Sequence, residues 1–346
     1  MGATPVALEQ VQDLEVALVE HGRDYRNESD NLSRYWLRLR KIHCHLPEKC
    51  EDSTRPPANA RIPPMATVGE LVREGQEALR RSGLESAGRE AARLLGGLLA
   101  WTEARVIARD TDPVPAETER RFRQLLDRRR DGEPVAYLLG EREFFGRPFA
   151  VDSRVLIPRP ETEHLVEAAL AAPLPARARA LDIGTGSGCL AVTLAAERPG
   201  WSVVATDLSI AALDVARANA RRLGVADRVH CVAADLCAGL DLSLFDVVVG
   251  NPPYVEEHVV PFLSRDVRDF EPRVALVGGT GGLETMALLL DQLTGLRPGV
   301  WVALEFGFGQ AIQVATLVAR GDAFDAIEIR TDLAGIERNV VFRRRA

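Results

Sequence analysis

A chain of 346 residues with 46% apolar and 27% charged residues is long enough for two domains and has ordinary globular composition, which excludes disorder throughout. It has neither an apolar run of bilayer length nor a basic, then apolar leader, so the sequence predicts a cytoplasmic protein without membrane contact. A formal net charge of -7 argues against bulk attraction to long nucleic acid, and five cysteines, at 44, 50, 189, 231 and 237, argue against a disulfide framework.

Residues 1 to 65 read as an extension of unknown role, partly disordered: a helical stretch, VALEQVQDLEVALVE, then a charged run, then the proline-bearing EDSTRPPANARIPP. His43, Cys44, His45 and Cys50 are metal-ligand types without the spacing of a zinc site, so no metal is expected. Met65 begins a stretch able to stand as its own N-terminus. From TVGELVREGQEALRRSGLESAGREAARLLGGLLAW onward, apolar positions recur every three or four residues, and AETERRFRQLLDRRRDG follows Pro115. Residues 66–132 are therefore predicted to form a small helical domain. Its arginines at 120, 121, 123, 128, 129 and 130 read as a solvated face, with a partner-docking patch as the alternative.

Residues 133–158 are predicted to be a β-hairpin linker. The strand-like segments REFFGRPFAV and RVLI are separated by Asp152-Ser153. From 159 to 346, short apolar runs (ARALDIG, WSVVATD, VHCVAAD, LFDVVVGN, WVALEFG) alternate with helical patterns, as in a mostly parallel α/β sheet covered on both faces. FDAIEIR and ERNVVFRR are separated only by TDLAGI, too short for a parallel crossover, so they should pair antiparallel.

LDIGTGSG ends the first of these strands with Asp182 and places Gly184, Thr185, Gly186, Ser187 and Gly188 in the turn before a helix, where glycines allow close backbone approach to a ligand. Asp207 ends the second strand, where a carboxylate can accept both hydroxyl hydrogens of a ribose; capping the next helix is the plainer alternative. Asp235 ends the third strand, placed for an adenine amino group with Leu236 against the ring, or simply as a cap. The GxGxG spacing falls short of the pyrophosphate pattern, and the acidic strand ends suit a phosphate-free cofactor with an amino group. S-adenosylmethionine, with Asp182 or nearby carbonyls toward its amino group, fits better than NAD.

The fourth strand runs into Asn251, Pro252, Pro253 and Tyr254. A planar amide or aromatic amine is a poor nucleophile because its lone pair is delocalised. The Asn251 side-chain oxygen and the Pro252 carbonyl can take its two hydrogens and aim the lone pair at a methyl group, with catalysis by alignment and fixed dipoles. Prolines hold the acceptors still, and Tyr254 can cover the planar group. A rigid structural turn is the alternative.

GEPVAYLLGEREFFG (132–146), LIPRPETEHLVEAAL (156–170), LDIGTGSG (181–188), FDVVVGNPPYV (245–255), EPRVAL (271–276), LEFGFGQ (304–310) and DLAGIERNVV (332–341) together resemble the HemK-type glutamine N5-methyltransferases of peptide chain release factors. The resemblance covers about residues 66–346. GTGSG is generic and NPPY is shared with DNA adenine methyltransferases, whereas IPRPETE ahead of both is specific. It implies a seven-stranded Rossmann-like methyltransferase domain, a helical N-terminal domain that contacts the substrate, and a hairpin between them. It further implies methyl transfer from S-adenosylmethionine to the glutamine of the Gly-Gly-Gln motif in class I release factors, by a monomer without direct DNA binding. Carried over, Asp182, Gly184 to Gly188, Asp207, Asp235, Leu236 and Asn251 hold the cofactor. Asn251, Pro252, Pro253 and Tyr254 hold the amide, with Asn251, Pro252 and Tyr254 catalytic and Arg159 and Glu161 at the entrance. Gly281 stands where the family commonly has an aspartate.

Overall fold

The computed structural model describes residues 65–345. The extension, with its helical stretch and its His43, Cys44, His45 and Cys50, lies outside the described residues apart from Met65.

Helices α1 (Val68–Arg81), α2 (Ala87–Leu99), α3 (Glu103–Ala108), α4 (Ala116–Arg130) and α5 (Val135–Leu139) build the N-terminal region. Helix α1 starts at a reciprocal cap: Thr67 Oγ1 accepts from Glu70 N (3.3 Å) and Glu70 Oε2 from Thr67 N (2.8 Å). Such a cap stabilises a helix by about 1 kcal/mol. The apolar stripes then close on a core of Leu71, Leu79, Leu94, Leu95 and Phe122, where truncating one leucine to alanine would cost about 2–5 kcal/mol.

Helix α5 corrects the predicted linker. Val135, Leu138 and Leu139 pack against that helical core, so residues that had read as part of the hairpin belong with the helices. The hairpin is β1 (Glu141–Phe144) and β2 (Arg147–Ala150), turning at Phe145-Gly146, both with positive φ. The turn thus falls inside REFFGRPFAV, not at Asp152-Ser153, and RVLI forms no strand. The arginine face is solvated as expected at Arg120, Arg121, Arg123, Arg128 and Arg130, with Arg129 the exception. Arg120, Arg123, Arg128 and Arg130 pair with nearby carboxylates, and Arg129 is buried, bonding Glu90 Oε2 (2.6 Å) and the Gly132 carbonyl (3.1 Å).

Beyond the hairpin come α6 (Glu163–Ala171), β3 (Arg179–Ile183), α7 (Cys189–Glu197), β4 (Ser202–Asp207), α8 (Ile210–Arg222), β5 (Val229–Ala233), β6 (Val247–Gly250), β7 (Val255–Glu256), α9 (Arg265–Phe270), β8 (Val277–Gly279), α10 (Glu284–Leu293), β9 (Trp301–Glu305), α11 (Ala311–Ala319), β10 (Phe324–Thr331) and β11 (Glu337–Arg344). Seven strands form one sheet in the order β10-β11-β9-β6-β3-β4-β5, while β7 and β8 pair separately. Strands β3, β4, β5, β6 and β9 run parallel, and β10 and β11 pair antiparallel as the short TDLAGI connection requires.

Alternation along each strand fills both faces. Val247 and Val249 join Leu165, Val166, Leu190 and Val192 of α6 and α7; Val248 points the other way, into the layer of Met286, Leu289, Leu293 and Val314 from α10 and α11. The chain winds outward from β3 in both directions, first through β4 and β5, then through β6 and β9. The crevice between the carboxyl ends of β3 and β6 is the switch point, where open α/β sheets bind ligands.

Candidate active site

Two loops meet at that crevice. The loop after β3 bends through Gly184, Gly186 and Gly188, all with positive φ, a conformation that side-chain-bearing residues resist. Asp182 is fully enclosed: its Oδ2 accepts from Thr185 Oγ1 (2.5 Å) and Ala191 N (3.1 Å), tying the loop to the first turn of α7. Burial pushes its carboxyl up to about 7, against the pull of those two hydrogen bonds. Asp182 therefore shapes the loop from behind through Oδ2, while its buried Oδ1 has no hydrogen-bond partner among the described residues. Asp207, at the end of β4, accepts from Gly186 N (2.9 Å) through one oxygen and Ser209 N (2.8 Å) through the other. Each oxygen keeps a further lone pair and Asp207 lines the cavity there, while the cap of α8 is Ser209, which accepts from Ala212 N.

A cavity of about 240 Å³ opens there, lined among others by Gly184, Gly186, Asp207, Asp235, Leu236 and Asn251. Its donor set fits S-adenosylmethionine. Two carboxylates suit hydroxyl and amino hydrogens, and a Cβ at Gly186 would meet no atom within 4 Å, so the loop leaves room on its open side. The lining cation, Arg154, is held in a two-pronged pair to Asp152 (2.8 and 2.6 Å). A smaller recess of about 40 Å³ adjoins it, sharing Leu156, Gly184, Gly186 and Asn251 and reaching Arg159, Thr162, Thr185 and Ser187.

The loop after β6 forms the other wall. Asn251 donates its Nδ2 to Thr162 Oγ1 (3.2 Å), and among the described residues neither its Oδ1 nor the Pro252 carbonyl receives a hydrogen bond. Two acceptors are thus left open in tandem. Thr162 in turn donates to Glu305 Oε2 (2.7 Å), and Tyr254 donates its hydroxyl to Glu305 Oε1 (3.2 Å). Glu305 ends β9 and is 2% exposed; burial raises its carboxyl above the ordinary range, opposed by the Thr162 and Tyr254 hydroxyls. Burial, then the Glu305 charge, also holds the Tyr254 phenol above its usual value, so it stays a neutral donor. The Tyr254 carbonyl accepts from Gln310 Nε2 (3.0 Å), whose Oε1 accepts from Gly307 N (2.8 Å). Gly307 is required by close approach: a Cβ there would lie 2.8 Å from Gln310 Oε1 and 3.0 Å from Tyr254 Cδ2.

Side chains from distant segments frame both walls. Arg159 pairs with Glu271 (2.5 Å), whose other oxygen accepts from Ile157 N (3.1 Å), joining IPRPETE to EPRVAL. Burial raises the Glu271 carboxyl, and Arg159 opposes it. Asn219 of α8, fully buried, donates to Ser187 O (2.8 Å) and Ala150 O (3.0 Å) and accepts from Ala150 N (2.8 Å), clamping the hairpin to the glycine loop.

Of the residues singled out in the sequence, Gly184, Gly186, Asp207, Asp235, Leu236, Asn251 and Pro253 line the main cavity, and Arg159, Thr185 and Ser187 the recess. Pro252 is buried and Tyr254 half-buried, and neither lines either cavity. Gly188 starts α7 against Ala216, and Glu161 sits half-buried in the turn before α6, lining neither cavity. Gly281 donates its N–H to Glu284 Oε1 (2.8 Å), so the loop before α10 is held without an aspartate at that position. Thr162, Asn219, Glu271, Glu305 and Gln310 were not foreseen individually. Four of them lie within the segments IPRPETE, EPRVAL and LEFGFGQ, and Asn219 has only its place in an otherwise apolar helix pattern as a signal.

The family described as PrmC N-terminal domain matches residues 70–140, which reaches through α5, and the family described as Methyltransferase small domain matches residues 162–264. Over 226 residues the chain is 49% identical to the release factor glutamine methyltransferase of Nitratidesulfovibrio vulgaris, covering 64% of this chain and 77% of the relative. Over 278 residues it is 42% identical to that of Cereibacter sphaeroides, covering 80% and 98%. The relative from Bordetella pertussis is 45% identical over 257 residues, 72% of this chain and 92% of its own. With relatives this similar matched over most of their length, the chain belongs to the release factor glutamine methyltransferase family.

Proposed function

We propose that the protein transfers a methyl group from S-adenosylmethionine to the side-chain amide nitrogen of the glutamine in the Gly-Gly-Gln loop of peptide chain release factors. The carrying observation is Asn251 Oδ1, which lines the crevice beside the glycine loop with no donor to it, next to the Pro252 carbonyl, which is likewise unbonded among the described residues. When bound, the cofactor supplies an electrophilic sulfonium methyl and departs as a neutral thioether. Asp207, with Asp235 and Leu236, holds the nucleoside end against the glycine loop.

Asn251 Oδ1 and the Pro252 carbonyl each accept one hydrogen of the substrate amide, which fixes its plane and turns the nitrogen toward the donor pocket. Tyr254, anchored at its hydroxyl and its carbonyl, limits how far that loop can shift. As the N–C bond forms, positive charge develops on nitrogen, and the two oxygens that accept its hydrogens stabilise that charge. The surplus proton then passes to solvent, so no side-chain base is needed.

The finer parts of this reading are a class I release factor as substrate, Arg159 and Glu161 at the entrance, and a monomeric cytoplasmic enzyme without DNA or membrane contact. Among the described residues no helix is long and apolar enough to cross a membrane. The domain limits belong here too: helices from 66, hairpin, then a catalytic domain from about 159.

The test is transfer of labelled methyl from S-adenosylmethionine to a purified release factor, mapped by mass spectrometry beside a variant with alanine at the loop glutamine. A single methyl on that glutamine, absent from the variant, is expected. Label on duplex DNA instead would replace the protein amide by an adenine amine as acceptor.

A further inference from the structure

Resting on the reading of Asn251 above, we propose that Glu305 is a positioning residue that sets which way the Asn251 amide faces, acting through the hydroxyl of Thr162. The three side chains come from three separate segments: Asn251 after β6, Thr162 ahead of α6, and Glu305 at the end of β9. They form one directional chain. Both Glu305 oxygens act as acceptors, Oε1 from the Tyr254 hydroxyl and Oε2 from Thr162, so the only hydrogen on Thr162 Oγ1 is donated to Glu305 Oε2, at 2.7 Å. The Thr162 oxygen then faces Asn251 purely as an acceptor, at 3.2 Å.

An asparagine side chain is nearly symmetric in shape, and rotating it by half a turn exchanges its oxygen and its NH2 group. Against a committed acceptor, only the NH2 end fits; the reversed amide would set two oxygens face to face. Oδ1 is therefore left toward the crevice, where the substrate amide needs an acceptor. Without the carboxylate, the Thr162 hydroxyl is free to turn and donate to Asn251, which admits the orientation that presents NH2 to an NH2 substrate.

The burial of Glu305 supports this role. A carboxylate enclosed to 2% exposure is costly unless hydrogen-bonded, and an apolar or amide residue would fill the same space more cheaply. Both of its oxygens are used, one on Thr162 and one on Tyr254, so a single group fixes the acceptor and the neighbouring ring together.

The test measures kcat at saturating cofactor and release factor, with cofactor Kd by calorimetry as the check on folding. Thr162→Val and Glu305→Gln should each lower kcat roughly 5- to 100-fold, the range expected when a buried polar partner is lost, with cofactor Kd unchanged. Thr162→Ser, which restores the hydroxyl, should recover most of the rate. In an Asn251→Ala background, where no amide remains to orient, Thr162→Val should have almost no further effect. Wild-type kcat in Thr162→Val or Glu305→Gln, or an equal loss from Thr162→Val in both backgrounds, overturns the proposal. Full turnover by Asn251→Ala alone overturns instead the reading of Asn251 on which it rests.

Discussion

The two walls of the crevice are held in place differently. On the glycine-loop side, the carboxylate bonds are mostly local: Asp182 reaches Thr185 three residues away, and Asp207 reaches Ser209 two residues and Gly186 twenty-one residues away, with Asn219 adding a longer clamp to Ser187 across 32 residues. On the Asn251 side, the bonds join remote segments: Thr162 meets Asn251 across 89 residues and Glu305 across 143, and Tyr254 meets Glu305 across 51. The carboxylate bonds of the first wall lie within or next to one βαβ unit. The second exists only when β6, β9 and the segment before α6 have all docked, so damage far from the crevice should reach it first.

That contrast is tested most severely at Asn251. Asn251→Ala removes one of two aimed acceptors and should lower kcat by roughly 10²–10³-fold, the cost of losing one preorganised oxyanion-type partner, with little change in cofactor Kd. A drop in cofactor affinity matching the drop in rate would mean that the walls are not separable. Asp207→Ala probes the opposite wall. It should raise cofactor Kd roughly 10- to 100-fold, the worth of one or two charge-assisted hydrogen bonds, and leave kcat at saturation much less affected. An unchanged Kd by calorimetry would reduce Asp207 to a strut between Gly186 and Ser209.

The smallest effect concerns stability. Burial shifts the Asp182 carboxyl from an ordinary 3.8 to about 7, so between those values the folded protein keeps a proton that the unfolded chain has lost. The sign follows from linkage: with more protons bound in the folded state, stability falls as pH rises through that interval. Asp182→Asn carries no such proton and keeps an oxygen for Thr185 and Ala191, so its Tm should change less than that of the wild type between about pH 4 and about pH 7. Identical slopes in thermal melts would place the pH dependence elsewhere, with Glu271 and Glu305 the next buried carboxyls raised by burial.

Local patterns were legible in the same proportion. The helical periodicity of α1, α2 and α4, the alternation of strands and helices, and the antiparallel close of β10 and β11 all follow from spacing within a few residues. The hairpin did not follow, because Phe145 takes up positive φ in a turn where sequence statistics point to Asp152-Ser153. Helix α5 escaped as well: five residues give too little periodicity to see, and Val135, Leu138 and Leu139 are helical by virtue of the core they join. Arg129 looked like its solvated neighbours, since nothing in a run of arginines marks the one whose helix face turns inward to Glu90.

The sequence by itself determined the chemistry available at this crevice: a glycine turn after one strand, carboxylates at the ends of the next two, and an amide between a strand end and two prolines. These are properties of short segments, set by backbone rotation limits and the donors and acceptors each residue carries. Only the tertiary structure decided which way those groups point. It sealed Asp182 behind the loop, used both oxygens of Glu305 on Thr162 and Tyr254, and left the Asn251 and Pro252 oxygens open. The reason is that a hydrogen bond's direction depends on what both partners already hold, and here those partners are brought together only by the packing of the whole sheet.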